Sequence, residues 1–249
     1  TGDFVAEDYV AQTRSANVTK AVHVQAALGS KNPVKETEFI QQAVDRTGFP
    51  LAIVAYSNLT MPNVEAELAQ HCQFPNMRGI REFNAAEHLD DPAFQRGYAL
   101  LEKFNLVHSF NIEWEHMRKT HDLAIKFPNI MAVCDHTGFP KERTDEYFKD
   151  WQKGVSALAE AENVVCKISG LGMVDWNWTV DSIRPWVLHC IEAFGPERCM
   201  FESNFPVDKV SFSYIVMYNA FKRLSEGYSA PERAAMFHDT AARVYRLDV

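Results

Sequence analysis

The sequence predicts an α/β protein built as a (β/α)8 TIM barrel, with seven of the eight strands visible and the first one missing from the chain. Three observations predict it. Short apolar, β-branched runs recur about every 25–35 residues, the length of one strand, one helix and two loops. Longer helical patterns separate them without a break in composition, which favours a parallel sheet with right-handed crossovers. No GxGxxG or Walker-type glycine loop follows the first run (ALGSKNPV stands there), whereas a doubly wound nucleotide-binding sheet usually carries one.

In chain order, a helix is expected at 6–15, followed by strands at 20–26 (KAVHVQA), 51–57 (LAIVAYS) and 77–82 (MRGIRE). Four more follow at 106–114 (LVHSFNIEW), 130–136 (IMAVCDH), 164–170 (VVCKISG) and 198–204 (RCMFESN). Prolines in FPNM (74–77) and FPNI (127–130) block helix ahead of two of these strands. Between 183 and 194, Ile183, Trp186, Val187, Cys190, Ile191 and Phe194 recur at the spacing of one buried helix face. Gly195 and Pro196 stop that helix. Ser229 with Glu232 reads as a capping box opening a last helix over 230–246. The eighth strand is expected before Thr1, and residues 1–249 read as a single barrel domain.

Composition narrows the function. A hydrophobic share of 47% supports a sizeable core. A formal charge of −8 without any basic run disfavours nucleic acid and anionic membranes as partners, because both need a concentrated positive surface. No stretch approaches the ~20 apolar residues of a membrane span, and the N-terminus lacks the form of a signal peptide. Five scattered cysteines with no CxxC pair point to a reducing cytoplasm. A small molecule is therefore the expected partner, and a homo-oligomer is compatible with the sequence.

Function in such a barrel gathers at the C-terminal strand ends. His136 is delivered there by an apolar strand into a loop with Gly138 and Pro140; imidazole is the commonest divalent-metal ligand. Pleat register leaves open whether Asp135 or His136 faces the barrel. Arg81 carries a fork suited to a carboxylate, or else pairs with Glu82 or Asp90. Lys167 shares a face with Val165 and Ser169; it needs a charge partner or a ligand inside the barrel, unless its stem snorkels outward. His23 is a core histidine or a substrate contact, Glu113 a candidate acid or base or a solvated loop residue. Trp176 walls a pocket or packs on the rim. In CMFESNFPVD, Asn204 stands where a catalytic carboxylate is expected, and an amide cannot act as general base. Asp208, four residues on, is one substitute. No GxSxG elbow or HExxH motif is present.

DHTGFP, KISGLG, FGPERCMFESNFPVD and HDTAARVYRL together resemble the amidohydrolase superfamily of metal-dependent hydrolases. The likeness is to its amidohydrolase-2 branch, which contains fuconolactonase-like and dicarboxylate-lactonase-like enzymes. VHVQA, FPLAIVAYSNL, RGIR and DPAFQRGYALL fall in the same order, so the likeness spans the chain. It implies a barrel that opens a small carboxylated or polyhydroxylated lactone with help from one divalent metal, zinc, or from none. His136 would hold the metal with a His-x-His pair expected upstream of Thr1. Catalysis would draw on His136, Asn204, Asp208 and Glu113; substrate contacts would come from Arg81, Lys167, His23, Ser169 and Trp176. Asn204 departs from the aspartate usual in the superfamily. The alternatives are a metal-dependent decarboxylase of an aromatic or unsaturated acid, and a non-catalytic ligand-binding barrel.

Overall fold

A computed structural model describes residues 4–26 and 31–247. The chain runs α1 (Ala6–Thr13), β1 (Val22–Val24), α2 (Val34–Thr47), β2 (Ala52–Ala55), α3 (Val64–His71) and β3 (Met77–Glu82). Next come α4 (Ala85–His88), α5 (Pro92–Lys103), β4 (Val107–Phe110), α6 (Trp114–Lys126), β5 (Ala132–Cys134) and α7 (Asp145–Ala159). The last elements are β6 (Val164–Ile168), α8 (Val180–Phe194), β7 (Cys199–Phe201), α9 (Tyr214–Leu224), α10 (Ala230–Ala234) and α11 (Thr240–Tyr245). The seven strands of the described residues are all parallel and pair in sequence order, β1 through β7. That is the wall of a (β/α)8 barrel one strand short. Between the unpaired edges of β1 and β7 lies a cavity of about 370 Å³, lined among others by Val22, Val24, Met200, Tyr218 and Tyr245. The loop after β1 and the His-x-His pair expected upstream lie wholly or partly outside the described residues.

The period-2 alternation of each strand sorts its side chains. Val54, Val107, Val133, Val165 and Met200 point into the barrel, where Ala242, Val244 and Tyr245 of α11 join them. Ile53, Ile80, Phe110, Cys134, Cys166 and Phe201 point outward under the helices. Full burial of each such side chain contributes roughly 1.5–3 kcal/mol. Gly79 faces inward where the wall is tight, since a Cβ there would sit 2.5 Å from Val107 Cγ2. Two residues further along each strand, the inward position changes character: Gly79 leads to Arg81, Val133 to Asp135, Val165 to Lys167 and Met200 to Glu202. The same alternation that builds the apolar floor therefore delivers four charges to the barrel mouth.

Several boundaries differ from the sequence expectation. The strand read over 106–114 stops at Phe110, because Trp114, Met117, His121 and Ala124 already follow helical spacing in α6. Glu113 thus caps a helix rather than ending a strand. The strand read to His136 ends at Cys134, and the one read to Asn204 ends at Phe201. The last helix is not continuous over 230–246: a π-helical turn at Ala235–Asp239 separates α10 from α11. The wider turn sets Phe237 against Phe201, with ring centroids 4.7 Å apart. Among the described residues no helix is long and apolar enough to cross a membrane.

Candidate active site

The four charges at the barrel mouth form one buried network. Lys167 Nζ lies 3.0 Å from Asp135 Oδ1 and 3.8 Å from Glu202 Oε1. Arg81 Nη1 lies 3.7 Å from Asp135 Oδ2, while its Nη2 donates to the Gln25 carbonyl at 2.6 Å. Asp135 has 0% exposure and Lys167 3%, so neither charge is met by bulk water. Burial works against charge on Asp135, but the Lys167 ammonium, with Arg81 beside it, outweighs it and holds the carboxyl below its usual range. Burial likewise opposes the Lys167 ammonium; Asp135 and Glu202 reverse the balance and raise its pKa. Arg81 pairs with neither Glu82 nor Asp90, and Lys167 does not snorkel outward.

His136 reaches the network by an unusual route. His136, Thr137, Gly138 and Phe139 all have positive φ, at 54°, 59°, 67° and 46°. Side chains other than glycine's rarely adopt this left-handed region, so the turn needs outside support. Trp151 Nε1 donates to the Thr137 carbonyl at 2.9 Å. Thr137 Oγ1 donates to the Ser169 carbonyl at 2.8 Å and accepts from the Ser169 N–H at 3.1 Å. The turn is thereby fastened to the end of β6, and His136 Nδ1 comes to 3.0 Å from Ser169 Oγ. Both candidates at the tip of β5 serve the mouth: Asp135 through the pleat, His136 through the turn. Burial lowers the His136 pKa, which favours the neutral ring.

Gly170 completes this corner. Its φ is +67°, and a Cβ there would lie 2.8 Å from His136 Cβ and 3.0 Å from Cγ. Gly170→Ala is expected to displace the imidazole while the barrel still folds. Turnover should fall by about tenfold or more, as misplacement of a reacting group by an ångström can cost ~100-fold. Steady-state kinetics beside a thermal melt checks this; unchanged kinetics would refute it.

Asn204, with φ 51°, follows β7 at the mouth, and its Nδ2 is buried without a hydrogen bond. Asp208 sits beneath it, 1% exposed, with neither carboxylate oxygen accepting a bond of normal geometry. Burial pushes its pKa up to about 7, with Glu202 adding to the rise and Asn204 and the Gly170 N–H partly opposing it. The folded state then holds this proton more tightly than the unfolded chain. The stability linked to the neutral acid is complete below about pH 4 and is lost as pH rises through about 7. Asp208→Asn is therefore expected to stabilise the protein by about 2–4 kcal/mol at pH 8, a gain that shrinks towards pH 5. Urea unfolding at the two pH values measures it, and an equal effect at both would contradict the assignment.

The remaining residues singled out in the sequence do not join the cluster. His23 faces away from the barrel interior and bonds Glu36 at 3.2 Å. Glu113 takes a hydrogen bond from Lys141 at 2.6 Å. Trp176 is 67% exposed and donates to the Met173 carbonyl. Glu202, to which the sequence reading gave no role, is central to the network. The signal for it was its inward parity with Met200, the same argument that placed Lys167.

A divalent metal fits poorly with these side chains. Among the described residues no three His, Cys, Asp or Glu converge as ligands. Asp135 is committed to Lys167 and Arg81, and Glu202 to Ser169 and Lys167, leaving His136 Nε2 and the buried Asp208 carboxyl, fewer than the three ligands a metal site needs.

Comparison with known proteins adds to this geometry. The family described as Amidohydrolase matches residues 3–247. The uncharacterized protein y4mH of Sinorhizobium fredii (strain NBRC 101917 / NGR234) is 40% identical over 98% of this chain and 86% of its own length. An L-fucono-1,5-lactonase of Burkholderia multivorans (strain ATCC 17616 / 249) is 29% identical over 91% of this chain and 80% of the relative. The crystal structure of an amidohydrolase from Burkholderia multivorans with bound zinc superposes with a TM-score of 0.88 at 27% identity. It covers 98% of this chain and 89% of that one.

Proposed function

Because the chain belongs to the amidohydrolase family and is on that ground an enzyme, we propose that it opens a small carboxylated or polyhydroxylated lactone at the barrel mouth. The observation that carries this reading is a buried imidazole, its Nε2 free of hydrogen bonds among the described residues, placed beside the fixed cations Lys167 and Arg81. The lactonase relative supports the choice of ester.

In this scheme His136 Nε2 removes a proton from water as the oxygen attacks the lactone carbonyl. The negative charge that develops on the carbonyl oxygen is met by Lys167, already held in place and desolvated, so little reorganisation is needed. Asn204, whose buried amide faces Asp208, would turn its N–H from that acid to water or to the same oxyanion. Collapse of the tetrahedral adduct breaks the ring C–O bond, and the alkoxide takes the proton from the imidazolium. Water and lactone become one hydroxy acid, and His136 returns to its neutral state. Arg81 orients a substrate carboxylate or hydroxyl, with part of its charge spent on Asp135. The reading includes a reducing compartment, which the five free cysteines support.

The test is a pH-stat assay of the purified protein on L-fucono-1,5-lactone and a panel of carboxylated lactones. One acid equivalent per ring opened, without carbon dioxide, is the expected result. Release of carbon dioxide from an aromatic acid, or no rate above buffer on any lactone, would overturn it.

A further inference from the structure

We infer that Ser169 is a positioning residue that fixes His136 as its Nδ1–H tautomer, using the charge of Glu202. The hydrogens available to the three side chains decide it. A serine hydroxyl has one hydrogen to donate and two lone pairs to accept with. Ser169 Oγ lies 2.9 Å from Glu202 Oε2 and 3.0 Å from His136 Nδ1. An ionised carboxylate can only accept, so the single hydroxyl hydrogen goes to Glu202, whose other oxygen faces the Lys167 ammonium. If the hydroxyl turned to His136 instead, two lone-pair-bearing oxygens would face each other at 2.9 Å. His136 Nδ1 must then be the donor. In a neutral ring this leaves the proton off Nε2, the nitrogen that has no partner among the described residues.

The geometry that enforces this is built into the backbone. Thr137 clamps both the N–H and the carbonyl of Ser169, so the hydroxyl is presented from a fixed point. Gly170 leaves room for the imidazole, since a Cβ there would lie 2.8 Å from His136 Cβ and 3.0 Å from Cγ. Glu202, Ser169 and His136 come from the ends of β7 and β6 and from the left-handed turn after β5. Only the curled barrel brings them into line. The consequence for catalysis, a base with its lone pair at Nε2, rests on the hydrolase reading above; the tautomer itself does not.

The test reads the tautomer directly. Protein labelled with 15N-histidine is examined by long-range proton–nitrogen correlation, without substrate, and His136 is assigned by its loss in His136→Asn. The expected spectrum shows a protonated Nδ1 and a bare Nε2. Ser169→Ala should shift the tautomer ratio about tenfold towards Nε2–H, the worth of one charge-assisted hydrogen bond. Ser169→Thr, which keeps the hydroxyl, should restore the wild-type pattern. Glu202→Gln is the second variant, should Ser169→Ala fail to fold. Its amide can donate to the hydroxyl, freeing the hydroxyl hydrogen for Nδ1, so the ratio should move the same way. An Nε2–H ring in the wild type, or a ratio unmoved by the variants that fold, overturns the inference even if activity falls. A correct tautomer in a protein that opens no lactone would sink the proposed function alone. The converse result would sink this inference alone.

Discussion

Asp135→Ala is expected to cost about 3–5 kcal/mol of stability, the penalty for leaving buried cations unpaired. Asp135 is fully buried and is the closest anion to Lys167, at 3.0 Å, and the one that faces Arg81, at 3.7 Å. Without it, Lys167 keeps Glu202, at 3.8 Å, and the face of Tyr245, and Arg81 keeps a backbone carbonyl and the face of Phe83. A loss of this size is a large part of the ~5–15 kcal/mol that holds a typical domain together. Urea unfolding at pH 7.5 is the measurement. The pH dependence follows from the depressed carboxyl: Asp135 contributes its stabilisation above its unfolded pKa and loses it as pH falls through the lower folded value. The variant should thus differ most from the wild type at neutral pH and converge with it in acid. A cost below about 1 kcal/mol would mean that water reaches the network and solvates both cations.

His136→Asn is expected to lower kcat/KM for lactone opening by about 100- to 10,000-fold, the usual contribution of a positioned general base. Asparagine is chosen because it tolerates the left-handed backbone that this position requires, at φ 54°. The turn from His136 to Phe139 should survive, held by Thr137 and Trp151, so that lost turnover reports lost chemistry rather than unfolding. Thermal melts and pH-stat rates on the same preparation separate the two. Retention of more than a tenth of the wild-type rate would remove His136 from the reaction and shift the role of base to Asp208 or Glu202.

The chain's local chemistry determined the seven strand positions, the parallel order and the helix face from Ile183 to Phe194, because these depend on residues two to four apart along one element. The same alternation makes Arg81, Lys167 and Glu202 inward-facing at strand ends, and that much of the site was legible in the sequence. Its limits appear residue by residue. Glu113 looked like a strand tip until the helical spacing of α6 claimed the segment, and Trp176 looked like a pocket wall but lies in solvent. The π-helical turn in the last helix left no mark on its apolar pattern. Only the tertiary structure decided that Asp135 and His136 both reach the mouth, since that depends on a left-handed turn held by Trp151 and by Thr137 on Ser169. It alone decided that Glu202 reads His136 through Ser169, across 33 positions of chain on each side. The physical reason is the same throughout. Periodicity sets which way a side chain points, but what it meets depends on the curvature of the barrel and the register of strands about thirty residues apart.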